Sequence, residues 1–138
     1  MDESNAQWVD DHTIPDSEGL WRRIPPSVSY IALDAKTNMW RPSSGVFNDP
    51  RGELSVNRAS LTTVEQTLAG TQGYSLVEVK AEVFRARGYA VVPDPLPENP
   101  AHALVCGKIS KIHAREITRA ATWIVLHPPD AATGTRVI

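Results

Sequence analysis

One cysteine, Cys106, is all that the 138 residues contain, so no internal disulfide can staple the fold. That lack points to a reducing compartment, and the expected location is cytoplasmic. No apolar run approaches the roughly 18 residues that cross a bilayer, so no membrane partner is expected. Residues Met1 to Asp10 lack a basic stretch followed by an apolar one, and no secretory signal is expected there. The four histidines, 12, 102, 113 and 127, are scattered and have no cysteine spacing to join them. A metal site is therefore not expected. There is no Gly-x-Gly-x-x-Gly, no phosphate loop ending in Gly-Lys-Ser/Thr, no His-Glu-x-x-His and no Gly-x-Ser-x-Gly. No cofactor is implied. These absences remove several enzyme classes but not chemistry assembled from distant residues.

What is present is ordinary globular material, with 41% hydrophobic and 22% charged residues. The charge is uneven. Residues 1–20 hold Asp2, Glu3, Asp10, Asp11, Asp16 and Glu18 with no Lys or Arg, which leaves the remainder net positive. Residues 1–19 read as a flexible acidic arm, 20–126 as one domain, and 127–138 as a loose tail.

Within the domain, Leu20–Ile24 and Val28–Leu33 read as strands, with Met39–Arg41 as a hairpin partner. Thr62 to Ala69 reads as a helix capped by Thr62, with Glu65 three residues on and Gly70 past its end. Val77, Val79 and Ala81 alternate with charged residues, so 76–81 reads as a strand and 82–87 as a short helix. Tyr89–Val92 and Ala101–Cys106 read as strands on either side of a loop holding four prolines. Ser110 caps a helix over Lys111 to Trp123, with His113, Ile117, Ala120, Ala121 and Ile124 on one stripe. The expected fold is a small single α+β domain, with a mostly antiparallel sheet and two or three helices.

Four groups can carry chemistry. Arg22 and Arg41, with Arg23 near, are bidentate anion grips if the first strands pair, and Ser43, Ser44 and Gly45 add hydroxyls and backbone donors. These are the candidate ligand-binding residues for a phosphate-bearing molecule. His102 and Cys106 share a strand face but lie about 13 Å apart along it, too far for a nucleophile and its base. His102 is a candidate general acid or base, and Cys106 a core residue. Lys108, Lys111, Arg115 and Arg119 give a capped helix a basic stripe for an acidic protein partner. Nucleic acid is a weaker reading of the same stripe. Asp94 and Glu98 stand in the rigid proline loop as a second interaction surface.

The blocks Leu20-Trp21-Arg22-Arg23-Ile24, Arg41-Pro42-Ser43-Ser44-Gly45-Val46-Phe47, Leu54-Ser55-Val56 and Asp94 to Ala103 together resemble a group of short bacterial proteins with no established activity. The resemblance covers most of 20–126 and implies a bacterial source. An Arg-bearing first strand followed by a Ser-rich turn also resembles ADP-ribosyltransferase-like toxin domains. In that family a Glu or Gln on a later strand completes the site, and Glu78 is the strand-placed candidate here. The leading expectation is a cytoplasmic bacterial module that binds a protein partner. The rival is a small enzyme or ligand-binding domain for a nucleotide-like molecule, gripped by Arg22, Arg41, Ser43 and Ser44, with His102 or Glu78 moving protons.

Overall fold

Alternation of apolar and polar residues produces the strands. Leu20 and Ile24 in β1 (Gly19–Ile24), Leu54 and Val56 in β4 (Glu53–Arg58), and Val77 and Val79 in β5 (Ser75–Lys80) are all buried. Their register puts them on one face, because residues opposite each other in an antiparallel pair point the same way. β6 (Ala90–Pro93), β7 (His102–Cys106) and β8 (Thr122–Val125) complete a six-stranded antiparallel sheet. Its order is β6-β7-β4-β1-β5-β8. The structure, a computed structural model, describes residues 8–129. It is a small α+β domain, as the alternation predicts.

β2 (Ile31–Asp34) and β3 (Met39–Pro42) form a separate hairpin, its turn made by Asn38 at φ 59. Residues 28–30, expected to belong to the strand, instead form a turn in which Tyr30 N donates to Ser27 O. Trp123 Nε1 donates to Trp40 O and ties the hairpin to β8.

Three helices are described: α1 (Val64–Thr67), α2 (Ala81–Arg85) and α3 (Lys111–Ala120). Two 3-10 turns, Ser44–Phe47 and Ala59–Leu61, link strands. The cap of α1 is Thr63, not Thr62. Thr63 accepts from Gln66 N, while the Thr62 hydroxyl bonds the Thr67 hydroxyl. Ser110 caps α3 as expected, accepting from His113 N. That helix ends at Ala120, short of Trp123, because Ala121 leaves helical backbone and residues from Thr122 pair with β5. Its buried face carries Ala114 and Ile117.

One core lies on the Leu20–Val56–Val79 face. Phe47 and Phe84 meet edge to face, with centroids 6.4 Å apart, under Ile31, Ala114 and Ile117. Each such buried side chain contributes about 1.5–3 kcal/mol.

Residues 8–18 are not a loose arm. Ile14 is fully buried in the core. Glu82 N and Ala81 N donate to Asp16 O and Glu18 O, so this stretch covers the start of α2. Arg85 holds Asp10 and Asp16 at 2.9 Å each and donates to Asp11 O. Of the acids that suggest a solvated arm, Asp10, Asp16 and Glu18 are ion-pair partners of the body, while the Asp11 carboxylate accepts from Thr13. Residues 1–7 of the expected arm and 130–138 of the expected tail lie outside the described residues.

Candidate functional site

β1 and β4 pair at only two positions, Leu20 with Arg58 and Trp21 with Asn57. Beyond Trp21 the strands part, while β1 stays paired with β5 to Ile24. Arg22 occupies the fork. It alternates with buried Leu20 and Ile24, so its side chain starts toward the core. Its Nε donates to Val46 O at 3.0 Å and its Nη1 to Ser55 O at 2.9 Å. The strands' divergence exposes carbonyls that a guanidinium can satisfy, and this is why a charged residue stands between two core positions. Burial pushes the Arg22 guanidinium down from its ordinary range, and Asp49 offsets part of that. Among the described residues no carboxylate lies within 4.0 Å of it.

A cleft of roughly 850 Å³ opens at this fork. Trp21, Arg22, Arg23, Ser55, Asn57 and His102 line it from the sheet. Tyr30, Gly45, Val46 and Asn48 line it from the hairpin side, and Leu61, Thr62, Gln66, Thr67 and Ala69 from around α1. Pro25, Val56, Tyr74 and the proline-loop residues Leu96, Glu98, Asn99 and Pro100 complete it. One wall is a continuous polar chain. Asn99 Nδ2 donates to Asn57 Oδ1 at 2.8 Å, Asn57 Nδ2 donates to Thr67 Oγ1 at 3.1 Å, and the Thr67 and Thr62 hydroxyls are 3.0 Å apart.

His102 stands at the start of β7, opposite Asn57. Its Nδ1 lies 3.0 Å from both the carbonyl oxygen and Oδ2 of Asp94. Both partners accept only, so Nδ1 carries the proton and the neutral ring keeps its lone pair on Nε2. Among the described residues no buried side-chain nitrogen or oxygen lacks a partner and Nε2 makes no hydrogen bond, so Nε2 is not sealed from solvent.

The other sequence candidates lie elsewhere. Arg41 does not join Arg22, because β1 pairs with β4 and β5 while β3 pairs only with β2. Arg41 Nε instead bonds Asp34 Oδ2 at 3.0 Å. Ser43 Oγ donates to Ser29 O, and Ser44 opens the 3-10 turn; neither lines the cleft. Glu78 accepts from Trp21 Nε1 at 3.0 Å, pairs with Lys80 at 3.2 Å, and is also outside the cleft lining. Gly19 makes room for that contact, since a Cβ there would collide with the Glu78 side chain. Cys106 is buried, and desolvation, then Glu53 and Asp94, push its thiol up to about 12.

Lys108, Lys111, Arg115 and Arg119 are exposed. The donors at the start of α3 are partly taken, because Ser110 N bonds Tyr89 Oη and His113 N bonds Ser110 Oγ. Arg115 and Arg119 meet Arg41, Asp34 and Thr118 around a shallow depression. Two sequence groups therefore do converge, away from Arg22. Among the described residues no three His, Cys, Asp or Glu side chains gather to hold a metal ion, and no helix is long and apolar enough to cross a membrane.

Asp94 is the partner of His102, whereas the sequence points to it, with Glu98, only as part of a loop surface. The signal was available: if β6 and β7 form a hairpin, the residues flanking the proline loop must meet. Asn57, Asn99, Tyr30 and Tyr74 carried no motif. No protein-family model matches the chain, and no curated protein or solved structure matches it.

Proposed function

We propose that the protein binds a phosphate-bearing, nucleotide-like molecule in the cleft at the β1–β4 fork. The observation that carries this reading is Arg22, a half-buried guanidinium at the fork with no carboxylate partner among the described residues. Two carbonyls satisfy hydrogen bonds of this half-buried cation but not its charge, and an anion entering the cleft supplies the opposite charge. The surroundings suit the rest of such a ligand. Trp21, Tyr30 and Tyr74 offer aromatic surface to a flat ring, and Gln66, Asn57 and Asn99 offer donors and acceptors to sugar or base edges. The likeness to ADP-ribosyltransferase-like toxin domains shares the arginine of the first strand with this reading. Ser43, Ser44 and Glu78 lie apart, so that likeness supplies a probe, ADP-ribose, rather than a mechanism. The proposed setting is the bacterial cytoplasm, in keeping with the sequence blocks and the lone thiol.

A second reading keeps the partner-binding expectation in a narrower form. Arg41, Arg115 and Arg119 around one depression, with Asp34 the one acid lining it among the described residues, would receive an acidic segment of a protein partner. The same arginines are what a nucleic-acid reading would rest on, and binding that weakens steeply with salt is its required signature.

Thermal unfolding with ADP-ribose, ATP or inorganic pyrophosphate tests the cleft. A ligand at 100 times its Kd stabilises the native state by about 2.7 kcal/mol, a shift of several degrees. Arg22→Lys should reduce the shift by removing the planar fork while keeping charge, and Arg41→Ala should leave it intact. A midpoint unmoved by millimolar concentrations of all three compounds would refute the reading.

A further inference from the structure

Resting on that reading, we infer that the cleft is catalytic, and that His102, oriented by Asp94, is the general base that activates water to hydrolyse a phosphoanhydride bond of the bound nucleotide. Three observations converge. First, the Asp94 carboxylate and carbonyl both take the Nδ1 proton of His102, which fixes the ring and leaves a basic Nε2. Second, that nitrogen is not used by the protein among the described residues, although His102 lines the cleft. Third, β1, β4 and β7 are consecutive strands, and Trp21, Asn57 and His102 are opposite one another across them. Two strand spacings put the backbone of His102 about 10 Å from the strand that carries Arg22. Arg22, one residue on from Trp21, leaves β1 toward the other face and reaches the same cleft through the fork, so the Arg22 and His102 side chains both line it.

The choice of bond follows from what the cleft offers. One base is oriented by a carboxylate; Glu98, Tyr30 and Tyr74 also line the cleft, but among the described residues no hydrogen bond orients any of their side chains as an acid. A reaction that needs a base but no acid must expel a group that leaves unprotonated, and a phosphate does so. Nε2 takes a proton from water as the water oxygen forms a bond to phosphorus. The bridging P–O bond breaks with its electron pair on the departing phosphate oxygen. The imidazolium then loses its proton to solvent. One water is consumed and one proton released, with no change of oxidation state. Arg22 neutralises charge gathering on the phosphate oxygens.

The test follows ADP-ribose and ATP by phosphorus NMR, alongside thermal-shift binding, for the full chain and for His102→Ala and Asp94→Asn. The expected result is conversion of ADP-ribose to two phosphomonoesters and of ATP to a shortened nucleotide with phosphate or pyrophosphate, with His102→Ala losing about 10²–10⁴ in kcat while still binding. Added imidazole should restore part of the loss, which a merely structural role for the ring would not permit. Asp94→Asn should lower kcat less, because the Asp94 carbonyl still holds Nδ1. Binding without turnover, turnover indifferent to His102, or release of a base with the pyrophosphate intact would overturn the inference and leave the cleft reading standing. If His102→Ala fails to fold, His102→Gln carries the same comparison. Absence of binding by both compounds would remove the cleft reading and this inference together.

Discussion

Replacing Glu18 by Ala should cost this protein a large part of its stability. Glu18 is only 7% exposed, at the entry to β1. Its Oε1 accepts from Arg58 Nε at 3.4 Å, from Arg58 Nη2 at 3.2 Å and from Ser60 Oγ at 2.8 Å, and its Oε2 accepts from Ser60 N at 3.0 Å. The side chain thus ties the start of β1 to the end of β4, just where those strands pair. Truncation leaves the mostly buried Arg58 and the Ser60 N–H without their acceptor. Breaking such a pair costs about 3–5 kcal/mol, against a total of about 5–15 kcal/mol. The melting midpoint should fall by roughly 12 °C, and the urea midpoint should fall with an unchanged slope. Glu18→Gln, which keeps an acceptor, should cost less. Burial raises the carboxyl's pKa, but the Ser60 and Arg58 hydrogen bonds outweigh it and leave the group below its ordinary value. A depressed folded value contributes stability above the unfolded pKa and loses it as pH falls through the folded one. The gap between wild type and Glu18→Gln should therefore narrow below about pH 4.5. A Glu18→Ala midpoint within about 0.5 kcal/mol of wild type would refute the reasoning.

Arg85→Met should release residues 10–16 from α2, costing about 2–4 kcal/mol; limited proteolysis should then cut within that stretch, which wild type resists. Cys106 should stay unreactive toward thiol reagents at pH 8 until the protein unfolds, since its pKa is pushed up to about 12; rapid labelling of the native state would contradict this. Arg41→Ala, breaking a half-exposed pair with Asp34, should change stability by less than about 1 kcal/mol in urea titration.

The sheet was largely legible because its signals are local. Val77 and Val79 alternate with charged neighbours, and Pro25 and Gly107 stop strands where proline and glycine must. Strand pairing was not legible. Arg22 and Arg41 come together only if the first strands pair, whereas β1 pairs with segments far along the chain, and this keeps Arg41 away from Arg22. The cleft inherits that difficulty, for Arg22, Asn57, Tyr74 and His102 converge only through non-local pairing. His102 was recognisable as a candidate; its orientation by Asp94 depends on how the proline loop closes. The acids of residues 8–18 misled for another reason: composition cannot distinguish a solvated carboxylate from one whose arginine, Arg85 or Arg58, arrives from elsewhere.

The central position of β1 has a consequence for how the chain reaches its native state. The first strand finds its neighbours at Leu20–Arg58 and Gly19–Lys80. On a ribosome it must wait, apolar face uncovered, until residue 80 has emerged. Loop-closure entropy has to be met before these pairings give anything back, so refolding should be slow for a domain of this size. Until then Leu20 and Ile24 are exposed to association with other chains, and a chaperone would act most usefully in that interval.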